Sequence, residues 1–426
     1  MNIFLFFFFT SIAAIFFAFF IKGKYAKSPL WLMLFAWAIA LGVPRLNLSE
    51  IEQPWSVEFW LLIGISLVSF TFGFFAFNKF WTKYPIWEHI NILKRNTFSL
   101  TGVRIAVYGL AILSLIGLFM FYQRAGNFPL TSPDPDVFRF EADEKVPGLI
   151  NYVAQLARLF IPLAFFVMFW EKFSIKKHWD LVVLCLLGIA SIIVFASRTQ
   201  IFFVDLWIMA MYLFIRRPNW VQAVRFYPIF LIISIVVLAA VPLIRQAKSY
   251  GSNYLADVTV VNTSGFAPGG KYLLPIYVGI SFNMQALLHA QEFYEVNPTQ
   301  SGKVTLDPFT NIVGLDEYGS DFNLCDIFQC WWNTGTYLFP FVQDFGNAAF
   351  YFVPFLIAGI LTFLWRYWLS NPNFLSINLY AYACFFMVMT IYLSFTVRAE
   401  MYIDLFVIFM AYLFVTNKRI INLWQN

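Results

Sequence analysis

The sequence predicts an all-α polytopic membrane protein with about eleven transmembrane helices and one large polar loop on its outer side. Three observations predict it. Hydrophobic residues make up 61% of the 426-residue chain and charged residues 12%, against about 45–50% and about 25% in soluble domains. The excess lies in the aromatics, 54 Phe, 15 Trp and 21 Tyr, more than a soluble core absorbs and well suited to a bilayer and its interfaces. Basic residues also recur in alternate loops, as membrane topology demands.

The apolar runs fall at 2–21, 29–43, 56–77, 103–122, 148–170, 180–196, 200–215, 226–244, 340–365, 378–396 and 401–417. Backbone groups in hydrocarbon must pair within their own segment, so each run is expected as a helix. The run at 29–43 is short, and 180–196 and 200–215 are tightly joined. The first run has no basic leader and no small-residue cleavage site, and is expected to stay as a span. With no internal repeat or low-complexity linker, the chain reads as a single membrane domain, 1–426, with the loop 245–339 embedded in it.

Orientation follows from six loops that share one side if eleven spans are correct. They carry Lys22, Lys24 and Lys27; Lys79, Lys83, Lys94 and Arg95; Lys172, Lys176 and Lys177; Arg216, Arg217 and Arg225; Arg366; and Lys418 and Arg419. That side is expected in the cytoplasm, with the N-terminus outside. The outer side then holds 44–55, 123–147, the tip 197–199, the stretch 245–339 and the tip 397–400. The long stretch is too long for a connector. Between 245 and 336 it has four basic residues against eight acidic ones. Within it, 272–295 spaces apolar residues helically with Ser281, Asn283 and Gln285 interleaved, and is expected as an amphipathic helix on the outer membrane surface. The segment 262–270 is turn-rich.

Composition excludes several classes. The net charge of +5 comes from residues beside the spans, not from a stripe of the kind that binds nucleic acid. Four cysteines do not make a disulfide scaffold. Cys185 and Cys384 lie in apolar runs; Cys325 and Cys330 share the outer loop and either pair or stay as two thiols. No His/Cys/Asp cluster has metal-ligand spacing. Neither a P-loop nor a dinucleotide fingerprint occurs, so no metal or cofactor is implied. His89 and His178 fall in cytoplasmic loops and are expected to be solvated.

Charges at membrane depth are costly and point to function. Arg198 sits at the tip of FASRTQIFF and Arg398 at the tip of SFTVRAEMYIDLF. Arg245 ends the span entering the long loop. Arg158 lies within NYVAQLARLFIPLAFF, about three turns below the outer end of the run 148–170, and can pair with Asp205. Guanidinium groups fork onto phosphate oxygens, so arginines converging at the outer headgroup level suit a lipid-linked pyrophosphate. A single interfacial arginine can also simply snorkel to lipid headgroups. Carboxylates able to take a proton from a sugar hydroxyl are Asp344, Glu400, Asp404 and Asp205. His289 is a further candidate base, and Gly346 is placed for close helix approach.

The stretch 333–359, NTGTYLFPFVQDFGNAAFYFVPFLIAG, resembles the signature at which the late outer loop re-enters the membrane in Wzy-type O-antigen and capsule repeat-unit polymerases. Asn333, Thr336, Asp344, Phe345 and Gly346 match it; Ala348 or Ala349 stands where the pattern has glycine. The segments YVGISFNMQALLHAQ and GKVTLDPFTNIVGL resemble the outer-loop region before it. The tight hairpin with Ser197 and Arg198 resembles both this family and the related O-antigen ligases. The residue-level likeness covers about 150 residues from 197 onward.

The resemblance implies a GT-C-like glycosyltransferase at the periplasmic face of the bacterial inner membrane. The donor would be a growing glycan on undecaprenyl pyrophosphate and the acceptor a lipid-linked single repeat, in contact with membrane lipids and a chain-length regulator. It implies catalytic roles for Arg198, Arg398, Glu400 and Asp344. Substrate binding would fall to Arg245, Arg158, Asn333, Thr336, His289, Trp331 and Trp332, the tryptophans either stacking on sugar rings or anchoring the membrane interface. The rival readings are an O-antigen ligase, a flippase or other transporter, and a non-catalytic scaffold. A transporter predicts midplane charges and repeats, which the sequence lacks.

Overall fold

The computed structural model describes every residue except 1, 24, 91–92, 94–97, 219, 252, 262–269, 314–326, 330–331, 333, 395–396 and 418–426. Cys325, Cys330, Trp331 and Asn333 lie outside the described residues.

Each of the eleven apolar runs lies largely on helix, the run 378–396 as far as Met389. The described helices in chain order are α1 (Ile3–Lys22), α2 (Pro29–Gly42), α3 (Val57–Lys83), α4 (Leu100–Ala125), α5 (Pro135–Lys145), α6 (Gly148–Ala154), α7 (Ala157–Trp170), α8 (Trp179–Val194), α9 (Arg198–Arg216), α10 (Trp220–Tyr250), α11 (Tyr254–Val258), α12 (Leu274–Val296), α13 (Lys303–Val313), α14 (Phe339–Phe345), α15 (Ala349–Ser370), α16 (Phe374–Met389) and α17 (Ala399–Val415). Among the described residues, seven helical regions are long and apolar enough to cross a membrane: Ile3–Lys22, Pro29–Leu46, Val57–Glu88, Leu100–Ala125, Gly148–Trp170, Arg198–Arg216 and Phe339–Ser370. The apolar helices α8 and α16 are shorter, at 16 residues each. The chain is therefore an all-α membrane protein.

Burial sorts the helices into centre and rim. Helix α1 exposes Phe4, Phe7, Phe8 and Phe19, as a lipid-facing helix would. Helix α16 buries nearly every side chain from Phe374 to Met389, the mark of a helix enclosed on all sides. Helix α7 is similarly central and packs on α4, α8 and α9. Two spans are broken rather than continuous. The run 148–170 splits between α6 and α7 at Gln155 and Leu156. Pro162 has no N–H to give the Arg158 carbonyl one turn back, which weakens this end of α7. The run from 340 breaks at Gly346, whose φ of 58° ends α14 in a conformation that a residue with a Cβ adopts poorly.

Helix α12 differs most from expectation. It does not lie on a surface: most residues from Leu274 to Gln291 are buried, and it packs against α2, α10 and α14. Its interleaved polar residues are paired inside the protein. The Ser281 and Tyr277 hydroxyls donate to Glu52. Gln285 exchanges two bonds with the Gln53 backbone, at 2.9 and 3.2 Å. The segment 44–55 and the long stretch after 245 are thus fastened together, as two loops on the same side must be. His178 also departs from expectation. It is buried, with Nε2 2.9 Å from Glu171, which also takes Arg104 at 3.0 Å and Lys177 at 3.3 Å. Glu171 closes the 171–178 loop over that bundle end. His89 is exposed.

Burial pushes the Glu52 carboxyl up to about 7, against the opposing pull of the Tyr277 hydroxyl and Arg45. Its folded value exceeds its unfolded one, so its contribution to stability is complete below about pH 4.3 and is lost as pH rises through about 7. The melting temperature of the purified protein is expected to fall across that window. Glu52→Gln should flatten this dependence; an unchanged slope would show that other groups set it.

Candidate functional site

The bundle end where α4 and α10 finish and α9 and α17 begin holds a cavity of about 380 Å³. Arg139, Arg158, Arg198, Arg245 and Arg398 all line it, with Glu400 and Asp404 as its carboxylates. The four arginines singled out in the sequence, scattered over 240 residues of chain, therefore share one cavity. Helix α9 runs from this cavity to Arg216, so the site lies at the end away from that basic loop.

Local sequence explains how each cation arrives there. The hairpin between α8 and α9 is so tight that Ala196 adopts a φ of 51°, a strained left-handed conformation for a residue with a Cβ. Ser197 and Arg198 follow at the start of α9. Arg398 begins α17, and Arg245 stands one turn before the end of α10. The first-turn residues Arg198, Thr199 and Gln200 of α9 and Glu400 and Met401 of α17 line the cavity. Neither Ser197 nor Arg398 caps its helix with its side chain. Two helix N-termini, with their amide groups and dipoles, therefore face the same space as the guanidinium groups.

At the cavity floor, Arg158 pairs with Asp404, not with Asp205. Nη2 and Nε lie 3.0 and 3.3 Å from Asp404 Oδ1. The Tyr152 hydroxyl donates to the same oxygen at 2.9 Å, and the Tyr382 hydroxyl donates to Oδ2 at 3.2 Å. These groups come from α6, α7, α16 and α17, so one buried ion pair ties four helices. The α6–α7 break sets Arg158 inward onto Asp404; Asp205 is buried lower on α9. Arg245 is paired too, its Nε 2.6 Å from Asp136 of α5. Among the described residues no carboxylate lies within ion-pair distance of Arg139, Arg198 or Arg398. The cavity thus presents three guanidinium groups without a carboxylate partner and suits a multiply charged anion.

Other expected site residues lie elsewhere. The Asp344 carboxylate is buried and accepts the Val304 and Thr305 amides at 3.1 and 2.7 Å, fixing the start of α13. His289 stacks on Phe328 at 5.2 Å, away from the cavity. Trp332 is buried and donates to Asn283 Oδ1 at 3.1 Å, leaving no open face for a sugar. Thr336 is buried; from this stretch it is Thr334 that reaches the cavity. Sequence reasoning missed Arg139, Tyr382 and Tyr392. Arg139 is hidden in a charged loop whose composition marks no one residue, and the two tyrosines are indistinguishable from the chain's other aromatics.

No family model matches the chain, and neither a curated protein nor a solved structure matches it significantly.

Two outcomes check these assignments. Breaking a buried pair strands a charge, so Arg158→Met should destabilise the protein by about 3 kcal/mol in detergent unfolding, with Arg158→Met/Asp404→Leu recovering most of it. No recovery would mean the pair does more than neutralise itself. Asp344→Ala should cost about 1–2 kcal/mol through the lost amide bonds, while Asp344→Asn keeps the binding properties of the cavity; a selective loss of those properties would return Asp344 to the site.

Proposed function

We propose that this protein is a glycosyltransferase of the bacterial inner membrane that polymerises undecaprenyl-pyrophosphate-linked oligosaccharide repeat units into O-antigen or capsular polysaccharide. The observation that carries the reading is the convergence of Arg198, Arg245, Arg398 and two helix N-termini on one cavity. A leaving diphosphate needs such a cavity: as its bond to sugar breaks, negative charge grows on the phosphate oxygens, and fixed donors stabilise it without reorganising. The likeness of 333–359 to repeat-unit polymerases supports the same class, and eleven spans with this end in the periplasm complete the topology.

In this mechanism the donor is the growing glycan on its carrier lipid and the acceptor is a single lipid-linked repeat. A hydroxyl oxygen of the acceptor forms a bond to the anomeric carbon of the donor. The bond from that carbon to the pyrophosphate oxygen breaks, and undecaprenyl pyrophosphate leaves with the electron pair. The hydroxyl proton passes to a base. Of Glu400, Asp344 and His289, Glu400 is the one that lines the cavity, and it takes this role. Arg198 and Arg398 hold the diphosphate, while Arg139 and Arg245 extend the positive wall. Membrane lipids flank the site, and a chain-length regulator would be a partner of this enzyme.

In cells making a repeat-unit polymer, Arg398→Ala should abolish long glycan, leave lipid-linked single repeats accumulating, and leave the protein inserted at normal level. A normal ladder of lengths would remove Arg398 from the site. Repeats retained on the cytoplasmic face would point to a flippase instead.

A further inference from the structure

We propose that Tyr392 is a further diphosphate-binding residue, one that accepts a hydrogen bond from Arg198 and turns its own O–H to the bound anion. This deepens the diphosphate reading above and rests on it.

Tyr392 lies between α16 and α17 and lines the cavity with Arg198, Arg245 and Arg398. Arg198 Nη2 donates to the Tyr392 hydroxyl oxygen. The Arg198 guanidinium also stands over the Tyr392 ring, 5.1 Å from its centroid, where the ring face attracts the cation. Tyr392 is also close enough to act electrostatically on Arg245. A phenol oxygen that accepts from a guanidinium keeps its proton available as a donor, and the adjacent cation polarises that donor. Ser197, Thr199 and Thr334 also place hydroxyls on this cavity, and Tyr392 differs from them in taking a guanidinium N–H onto its oxygen. A neutral hydroxyl among the guanidinium groups adds a directed bond to a phosphate oxygen without adding to the repulsion between like charges.

The surroundings hold Tyr392 in place. Asn283 of α12 donates its Nδ2 to the Tyr392 carbonyl at 2.8 Å. The Asn283 Oδ1 in turn accepts from Trp332 Nε1 at 3.1 Å and Thr334 Oγ1 at 2.9 Å. The Tyr392 ring lies directly against Gly279, where a Cβ would come within 2.9 Å of ring Cε2. The absent side chain at 279 is what gives the ring its place. The buried helix α12 therefore has a task at the site: it sets the position of a ring that in turn holds Arg198.

The test uses full-length protein in nanodiscs titrated with undecaprenyl pyrophosphate, and with inorganic pyrophosphate as a headgroup probe. Tyr392→Phe keeps the ring under Arg198 and removes only the hydroxyl, so its melting temperature should stay at the parent value. Its affinity for undecaprenyl pyrophosphate should fall at least about tenfold, as expected for losing a hydrogen bond to a charged group. Gly279→Ala, which displaces the ring and keeps the phenol, should weaken binding in the same direction. Arg198→Gln should lose affinity too, and Arg198→Gln/Tyr392→Phe should lose clearly less than the two single losses combined, because the residues act together. If Tyr392→Phe binds like the parent while Arg198→Gln does not, the Tyr392 inference is overturned and the diphosphate reading stands. If the parent binds neither probe, the diphosphate reading falls and the inference with it.

Discussion

The gathering of cations at the mouth of an apolar bundle depends on the Arg158–Asp404 pair beneath them. Two guanidinium groups in contact repel by about 4 kcal/mol at an effective dielectric of about 20, so five arginines around one cavity need neutralisation where water is scarcest. Asp404 neutralises Arg158 at the floor, where both are buried. The two tyrosine hydroxyls satisfy the carboxylate's remaining lone pairs, a condition for any buried ion pair to be tolerable. Above it, Arg139 and Arg398 reach the exposed mouth of the cavity and are solvated there. The charge left without a carboxylate partner among the described residues is thus concentrated where a ligand can meet it.

That floor also fixes geometry. Asp404 is one turn along α17 from Glu400, and Arg158 opens α7 just after the break from α6. The same pair that neutralises charge therefore sets the register of α17 against α7, and with it the positions of Arg398 and Glu400 at the mouth. The opposite wall is set independently by α12 through Asn283, Gly279 and Tyr392. In the proposed chemistry the two walls have different duties: α17 supplies the base Glu400 and the cation Arg398, while α9 supplies Arg198, held by Tyr392.

The sequence made the bundle legible because hydrocarbon leaves the backbone little choice, and each of the eleven runs lies largely on helix. It made the arginines legible for a similar reason: a permanent charge in a hairpin tip of a few residues has few places to go. Contacts that depend on tertiary context were not legible. Ser281, Asn283 and Gln285 looked like the polar face of a surface helix, because a sequence cannot show that Glu52, the Tyr392 carbonyl and the Gln53 backbone wait to receive them. Asp344 resembled a catalytic carboxylate for as long as the start of α13 beside it was unknown. Tyr392 carried no sequence signal, since one tyrosine among 21 is distinguished only by the guanidinium lying on it.

The central claim is that one arginine-lined cavity grips a lipid diphosphate. A cryo-EM map of the protein in nanodiscs with undecaprenyl pyrophosphate tests it most directly. The account predicts density for the two phosphates between Arg198 and Arg398, at the N-termini of α9 and α17, with the lipid tail leaving toward the bilayer. Phosphate density elsewhere on the protein, with this cavity unfilled at saturating lipid, would contradict it.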